Sequence, residues 1–325
     1  MKEFSVRKYE SKDYKVWNEF VNQAYNATFL FHRDFIEYHK NRFQDYSLII
    51  EDNKGFVALL PANTTENQVF SHQGLTYGGL ISLKPFKLDQ IIIIMKVLLK
   101  YLSQQGKKVL QVKQLPAIYP TRASQEIEYV FFALRAKIIR RDALSVVDLQ
   151  QNLKLSKGRK EGVKRGVKNE LIVKEENNFT TFWNQILLPN LEQKYKKKPV
   201  HSLEEITLLK QKFPSHIRQF NVYKNEELVA GTTVFETENV AHAQYISANS
   251  DKSTLGSLDF LYYELLAKVF VNKPCFDFGI SNENQGQNIN QGLSYWKESF
   301  GCFTVIQDFY ELETANYSLL ENVLI

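Results

Sequence analysis

Residues 275–301 read CFDFGISNENQGQNINQGLSYWKESFG. The opening CFDFGI is a short apolar run of strand type, the Asn- and Gln-rich stretch after it is a loop, and GLSYWKESFG has helical spacing. Asp277 and Gly279 therefore end a strand that leads through a loop into a helix, the edge at which open α/β sheets collect reacting groups. Lys297 follows Trp296 and precedes Phe300. Held near that apolar surface, its ammonium would stabilise a developing oxyanion or the phosphates of a donor. The other reading is a solvated helix lysine.

Upstream, residues 246–258 (ISANSDKSTLGSL) join a strand at 240–247 to a helix over about 257–271. Small and polar residues at a helix N-terminus leave backbone N–H groups facing an anion, and the helix dipole adds to the attraction. Ser253, Thr254, Leu255, Gly256 and Ser257 are the candidate phosphate contacts, with an ordinary strand–helix loop as the other reading. His242 and Tyr245 lie along the strand before it. With a period of two they cannot both face a cleft without a bulge, and Tyr245, nearer the loop, is the candidate.

Further out, the second half predicts helices at 180–195 and 203–212, strands at 217–223, 228–236 and 240–247, and a last strand at 303–309. The first half has the same order. Helices at 13–25 and 32–43 precede strands at 46–50, 55–61 and 68–81, a helix at 88–104 and a strand at 109–112. A short helix at 122–134 and extended chain at 137–149 complete it. Two copies of one element order argue for duplication. The expectation is an α/β fold with mixed (α+β) sheets, in domains 1–150 and 151–325, with a basic linker helix at 153–170. Near the end of the first meander, Gly74, Gly78 and Gly79 allow a close backbone approach. His72 and Tyr77 beside them are candidates for hydrogen bonds to an acceptor.

The linker, LSKGRKEGVKRGVKNELIVKEE (155–176), concentrates the charge. Within residues 154–168, Lys154, Lys157, Arg159, Lys160, Lys164, Arg165 and Lys168 face Glu161 alone, a greater excess than the whole chain's net +5. Lys157, Lys160, Lys164 and Lys168 share one helical face. Gly158, Gly162 and Gly166 weaken that helix by about 1 kcal/mol each relative to Ala, so a phosphate ligand is expected to order it. Arg159 and Lys164 are the candidate contacts, a solvated charged face being the other reading.

Composition excludes several classes. With 44% hydrophobic and 24% charged residues among 325, this is a folding chain of about two domains. Residues 1–14 do not read as a signal peptide, and 91–99 (IIIIMKVLL) is too short to span a bilayer, where about 20 residues are needed. Cys275 and Cys302 show no metal-ligand spacing and read as reduced thiols of a cytoplasmic protein. No metal is expected.

Three segments together resemble the Fem-type branch of the GNAT acyltransferases. The run DFG-IS, a polar loop and GLSYWKESFG is similar to that family's strand with Asp and Gly followed by a helix ending Phe-Lys-x-x-Phe-Gly, with Trp296 here in place of Phe. The strand–loop–helix unit from Tyr245 through Leu258, Tyr262 and Leu266, and the basic helix before the second domain, match in the right order. The resemblance covers most of residues 153–303 and implies a tandem of two GNAT-like domains. It implies transfer of an acyl or aminoacyl group to an amine, including amines of cell-wall or surface-polysaccharide precursors. Lys297 and Tyr245 are then the catalytic candidates and Asp277 a substrate contact. The donor is acyl-CoA or aminoacyl-tRNA, and the acceptor a small-molecule, sugar-nucleotide or glycan amine. Aminoacyl-tRNA enzymes of the family often carry a long helical hairpin in the second domain. Residues 185–212, with Pro189 and Pro199, are too short for one, which favours acyl-CoA and leaves tRNA open. The rival expectation is a non-catalytic module that binds a phosphorylated glycan or RNA through the basic segment.

Overall fold

Ile91, Ile92, Met95, Leu98, Leu99 and Leu102 recur at helical spacing and are buried along the helix Leu88–Gln104. They pack with Leu110, Val112, Val130, Phe131 and Leu312. The most apolar run of the chain is thus a core helix, and among the described residues no helix is long and apolar enough to cross a membrane. The structure, a computed structural model, describes residues 3–196 and 198–325.

The chain divides into two units. One comprises residues up to Asp142 with Gln285–Gln287 and Ile306–Ile325; the other comprises Ala143–Asn284 with Asn288–Val305. This differs from a simple division at residue 150. The strand Lys137–Asp148 is twelve residues long, and its later residues Val146, Val147 and Asp148 pair with Asp277, Phe276 and Cys275 of the second unit. The strand Phe303–Glu313, expected to complete the second half, instead pairs Phe309–Glu313 with Val109–Lys113 in the first unit. Each half of the sequence therefore supplies a strand that pairs within the unit built mainly from the other half.

In the first unit, Ser5–Lys8, Leu48–Asp52, Gly55–Leu60 and Ile81–Ser82 form a four-stranded sheet. The expected strand at 68–81 is broken into Gln68–Phe70 and Ile81–Ser82. Within the break Gly78 lies so close to the Ser71 carbonyl that a β-carbon would collide with it, and Gly79 follows with φ +109°.

In the second unit the meander is Ile217–Lys224, Glu227–Glu236 and Val240–Ala248, all antiparallel, with Ile172–Glu176 on the outer edge. Val240–Ala248 then pairs in parallel with Cys275–Ile280. One face of this sheet is closed by the helix Ser257–Glu264 and its π-helical continuation Leu265–Val269, through Leu261, Tyr262, Leu265 and Leu266. The expected helix at 180–195 contains a π-helical turn, Trp183–Leu187, the kind of irregularity that recurs at functional sites.

Candidate active site

The parallel pair Val240–Ala248 and Cys275–Ile280 is joined only at its start. Val240 pairs with Cys275, Ala241 with Phe276 and His242 with Asp277; past that point no pairing between the two strands exists among the described residues. The parting has a local cause. Asp277 Oδ1 accepts the Gly279 N–H at 2.7 Å, and Gly279 takes φ +72°, a left-handed turn that ends the regular ladder.

A bulge sets the side chains of Val240–Ala248. Thr233 pairs with Tyr245 and Val234 with Ala243, so Gln244 is the extra residue. That one-residue shift puts His242 and Tyr245 on the same face, the arrangement that simple alternation forbids. Ala241, Ala243 and Ala248 point the other way, into the helix-covered core.

His242 and Asp277 meet there: His242 Nδ1 lies 2.9 Å from Asp277 Oδ2, with the carboxylate fully buried and the imidazole 13% exposed. Tyr245 is held differently. Its hydroxyl accepts the His201 backbone N–H at 3.1 Å and lies 2.6 Å from His201 Nδ1. The Trp183 ring packs edge-on at 5.0 Å. Burial pushes the Tyr245 phenol up to about 12. A hydroxyl so buried and so engaged positions the strand rather than trading protons with a ligand.

Lys297 is no solvated lysine. It lies near the end of the helix Gln291–Glu298, whose N-terminus is capped by Asn290 accepting the Leu293 N–H. The residue is 3% exposed and donates from Nζ to the carbonyls of Gly279 (3.0 Å) and Ile280 (2.6 Å). Trp296, Phe300, Phe278 and Tyr262 form the aromatic packing that drives the helix down. Burial lowers the Lys297 ammonium to about 8, with Asp277 opposing that shift. Two of its three N–H donors hold the turn, which leaves one for a ligand.

The segment 253–257 splits. Ser253 and Thr254 are exposed on the single turn Lys252–Leu255, while Leu255, Gly256 and Ser257 are buried. The basic helix Lys157–Lys168 covers the corner, because a β-carbon on Gly256 would strike the Gly162 carbonyl. Gly162 and Gly166 are therefore not weak points awaiting a phosphate. A β-carbon on Gly162 would collide with the Asp259 carboxylate, and one on Gly166 with the Phe260 side chain. Arg159 is ion-paired with Asp259 and Lys164 with Glu161. Within the same corner Ser257 Oγ and Arg159 Nε are buried without a hydrogen-bond partner.

His72 and Tyr77, expected at an acceptor, lie in the interior of the first unit, each 2% exposed. His72 stacks on His39 with ring centroids 5.2 Å apart, its Nδ1 accepts the Gly74 N–H, and burial lowers it to about 3. Tyr77 donates to Thr28 Oγ1 at 3.0 Å. Both lie in the non-strand segment between Phe70 and Ile81, which packs inward instead of presenting them to a cleft. Among the described residues no group of His, Cys, Asp or Glu side chains could hold a metal ion.

No protein-family model matches the chain, and no curated protein sequence matches it. Solved structures do. FemX superposes with a TM-score of 0.68 over 98% of this chain and 99% of its own, at 8% identity. The fold is that of the Fem-like branch of the GNAT proteins. L-PGS from Bacillus licheniformis matches this Fem-like fold with a TM-score of 0.57 over 97% of this chain and 96% of its own, at 12% identity. A tandem GNAT protein from the clavulanic acid biosynthesis pathway matches at 0.50 over 96% and 99%, with 10% identity. At such identities the likeness concerns the Fem-like fold and not its substrates.

Proposed function

We propose that this protein is an N-acyltransferase, moving an acyl group from a thioester or ester donor to an amine. The observation that carries the reading is the parting of the parallel strands after His242 and Asp277, beside the buried Lys297 ammonium. An acyl group laid between the strands would meet the remaining Lys297 N–H. A fixed, buried cation of this kind stabilises the oxyanion that forms as an amine attacks. Holding donor and amine together supplies much of the remaining acceleration.

Acyl-CoA is the proposed donor, with aminoacyl-tRNA the other candidate. Exposed Ser253 and Thr254 are the groups available to its phosphates, since Ser257 is buried beneath the basic helix. Asp277 would act on the substrate through His242. The acceptor is a small-molecule, sugar-nucleotide or glycan amine, and two free cysteines suit a cytoplasmic setting. A second reading, a module that binds RNA or a phosphorylated glycan, draws on the exposed Lys157, Lys160, Lys164 and Lys168. Calorimetric titration separates the two. Saturable acetyl-CoA binding supports the transferase, whereas RNA binding that weakens steeply with salt, without CoA affinity, supports the module.

A further inference from the structure

We infer that His242 is the general base of the transfer, taking the proton from the attacking amine, with Asp277 as the positioning residue that fixes its tautomer. The inference rests on the transferase reading. It stands on four observations. His242 and Asp277 are the last paired residues before the strands part. The Gln244 bulge puts His242 and Tyr245 on one face of the strand, opposite the helix-covered core. Asp277 is fully buried and receives Gly279 N–H on Oδ1 and His242 Nδ1 on Oδ2. A β-carbon on Gly279 would stand 3.3 Å from His242 Cε1, so the imidazole lies over the residue whose carbonyl holds Lys297.

The chemistry follows. A carboxylate that accepts on both oxygens puts the imidazole proton on Nδ1, which leaves Nε2 as the nitrogen able to take a proton. In the step, the amine nitrogen bonds to the acyl carbon while its proton passes to His242 Nε2. The tetrahedral intermediate then collapses, the carbon–sulfur (or carbon–oxygen) bond breaks with its electron pair on the leaving atom, and the imidazolium returns the proton to that atom. The products are an amide and a free thiol or alcohol, with no oxidant or further reactant. Asp277 stabilises the transient imidazolium as the carboxylate of a Ser-His-Asp triad does.

The test uses the full chain with acetyl-CoA or alanyl-tRNA and an amine that the wild type acylates. His242→Gln keeps a donor for Asp277 and is expected to lower kcat about 10²- to 10⁴-fold, with acetyl-CoA affinity and the acceptor KM unchanged. Imidazole-nitrogen NMR is expected to show His242 as the Nδ1–H tautomer in the wild type. In Asp277→Asn, whose amide can donate to Nδ1, the tautomer is expected to switch to Nε2–H and kcat to fall. Wild-type kcat in His242→Gln, or an Nε2–H imidazole in the wild type, overturns the inference and leaves the transferase reading standing. A wild type that transfers from no donor overturns both.

Discussion

Lys297 Nζ donates to the Gly279 carbonyl at 3.0 Å, so the cation carried by one helix is tied to the turn at which two parallel strands separate. Its charge is thus part of the opening itself, and burial keeps that charge removable near neutral pH.

The first consequence is a pH dependence. The ammonium is the form that stabilises an oxyanion, and burial lowers it to about 8. Transfer should therefore fall as pH rises through about 8, seen in kcat/KM against pH. Lys297→Arg, which stays protonated, is expected to be slower and to lack that alkaline limb.

The glycines of the basic helix give opposite expectations along one stripe. Gly162→Ala and Gly166→Ala force a β-carbon into Asp259 or Phe260 and should cost about 1–3 kcal/mol, as overpacking does. Gly158 meets only Ser156 Oγ, at 3.9 Å, so Gly158→Ala should be neutral or stabilising by up to about 1 kcal/mol. Urea unfolding of the three variants checks both signs.

The same stripe shows where sequence reasoning stops. The lysine periodicity was legible and places those side chains on the exposed face. A glycine every fourth residue, however, looks identical whether it weakens a solvated helix or admits a neighbouring one. Only the partner, Ser257–Glu264, distinguishes them. Lys297 was legible only in part: Trp296 and Phe300 beside it suggested an apolar setting, but sequence alone did not separate that from a solvated helix lysine. His242 was not. The bulge at Gln244 leaves no local signature, since neither glycine nor proline marks it, and without it strand alternation sends His242 and Tyr245 to opposite faces. The long strand Lys137–Asp148 was read as one half's end because nothing in its sequence records that its later residues pair with Cys275–Asp277.

Tyr245 separates positioning from catalysis. Its hydroxyl serves both His201 N and His201 Nδ1, and Tyr245→Phe leaves these buried groups short of a partner, a loss of about 1–3 kcal/mol. The expected outcome is a lower thermal midpoint with transfer, assayed well below it, within a few-fold of wild type. A large loss of kcat at unchanged stability would return Tyr245 to the reacting groups.

His72 makes the first unit acid-sensitive. Burial lowers its folded value to about 3 from an ordinary 6.5. Below pH 6.5 the unfolded chain binds this proton and the folded chain does not, so stability falls with decreasing pH, by up to about 1.4 kcal/mol per unit. His72→Gln, which retains an acceptor for the Gly74 N–H, is expected to flatten that slope in unfolding experiments between pH 6.5 and 4.

The central claim is acyl transfer at the parting of Val240–Ala248 from Cys275–Ile280. The most direct measurement is mass-spectrometric detection of acylated amine when the purified chain is incubated with acetyl-CoA or alanyl-tRNA and a set of primary amines, beside Lys297→Ala. Product from the wild type, and at least about 100-fold less from the variant, is the expected result. Equal product from a folded Lys297→Ala, or none from the wild type with either donor, would contradict the account.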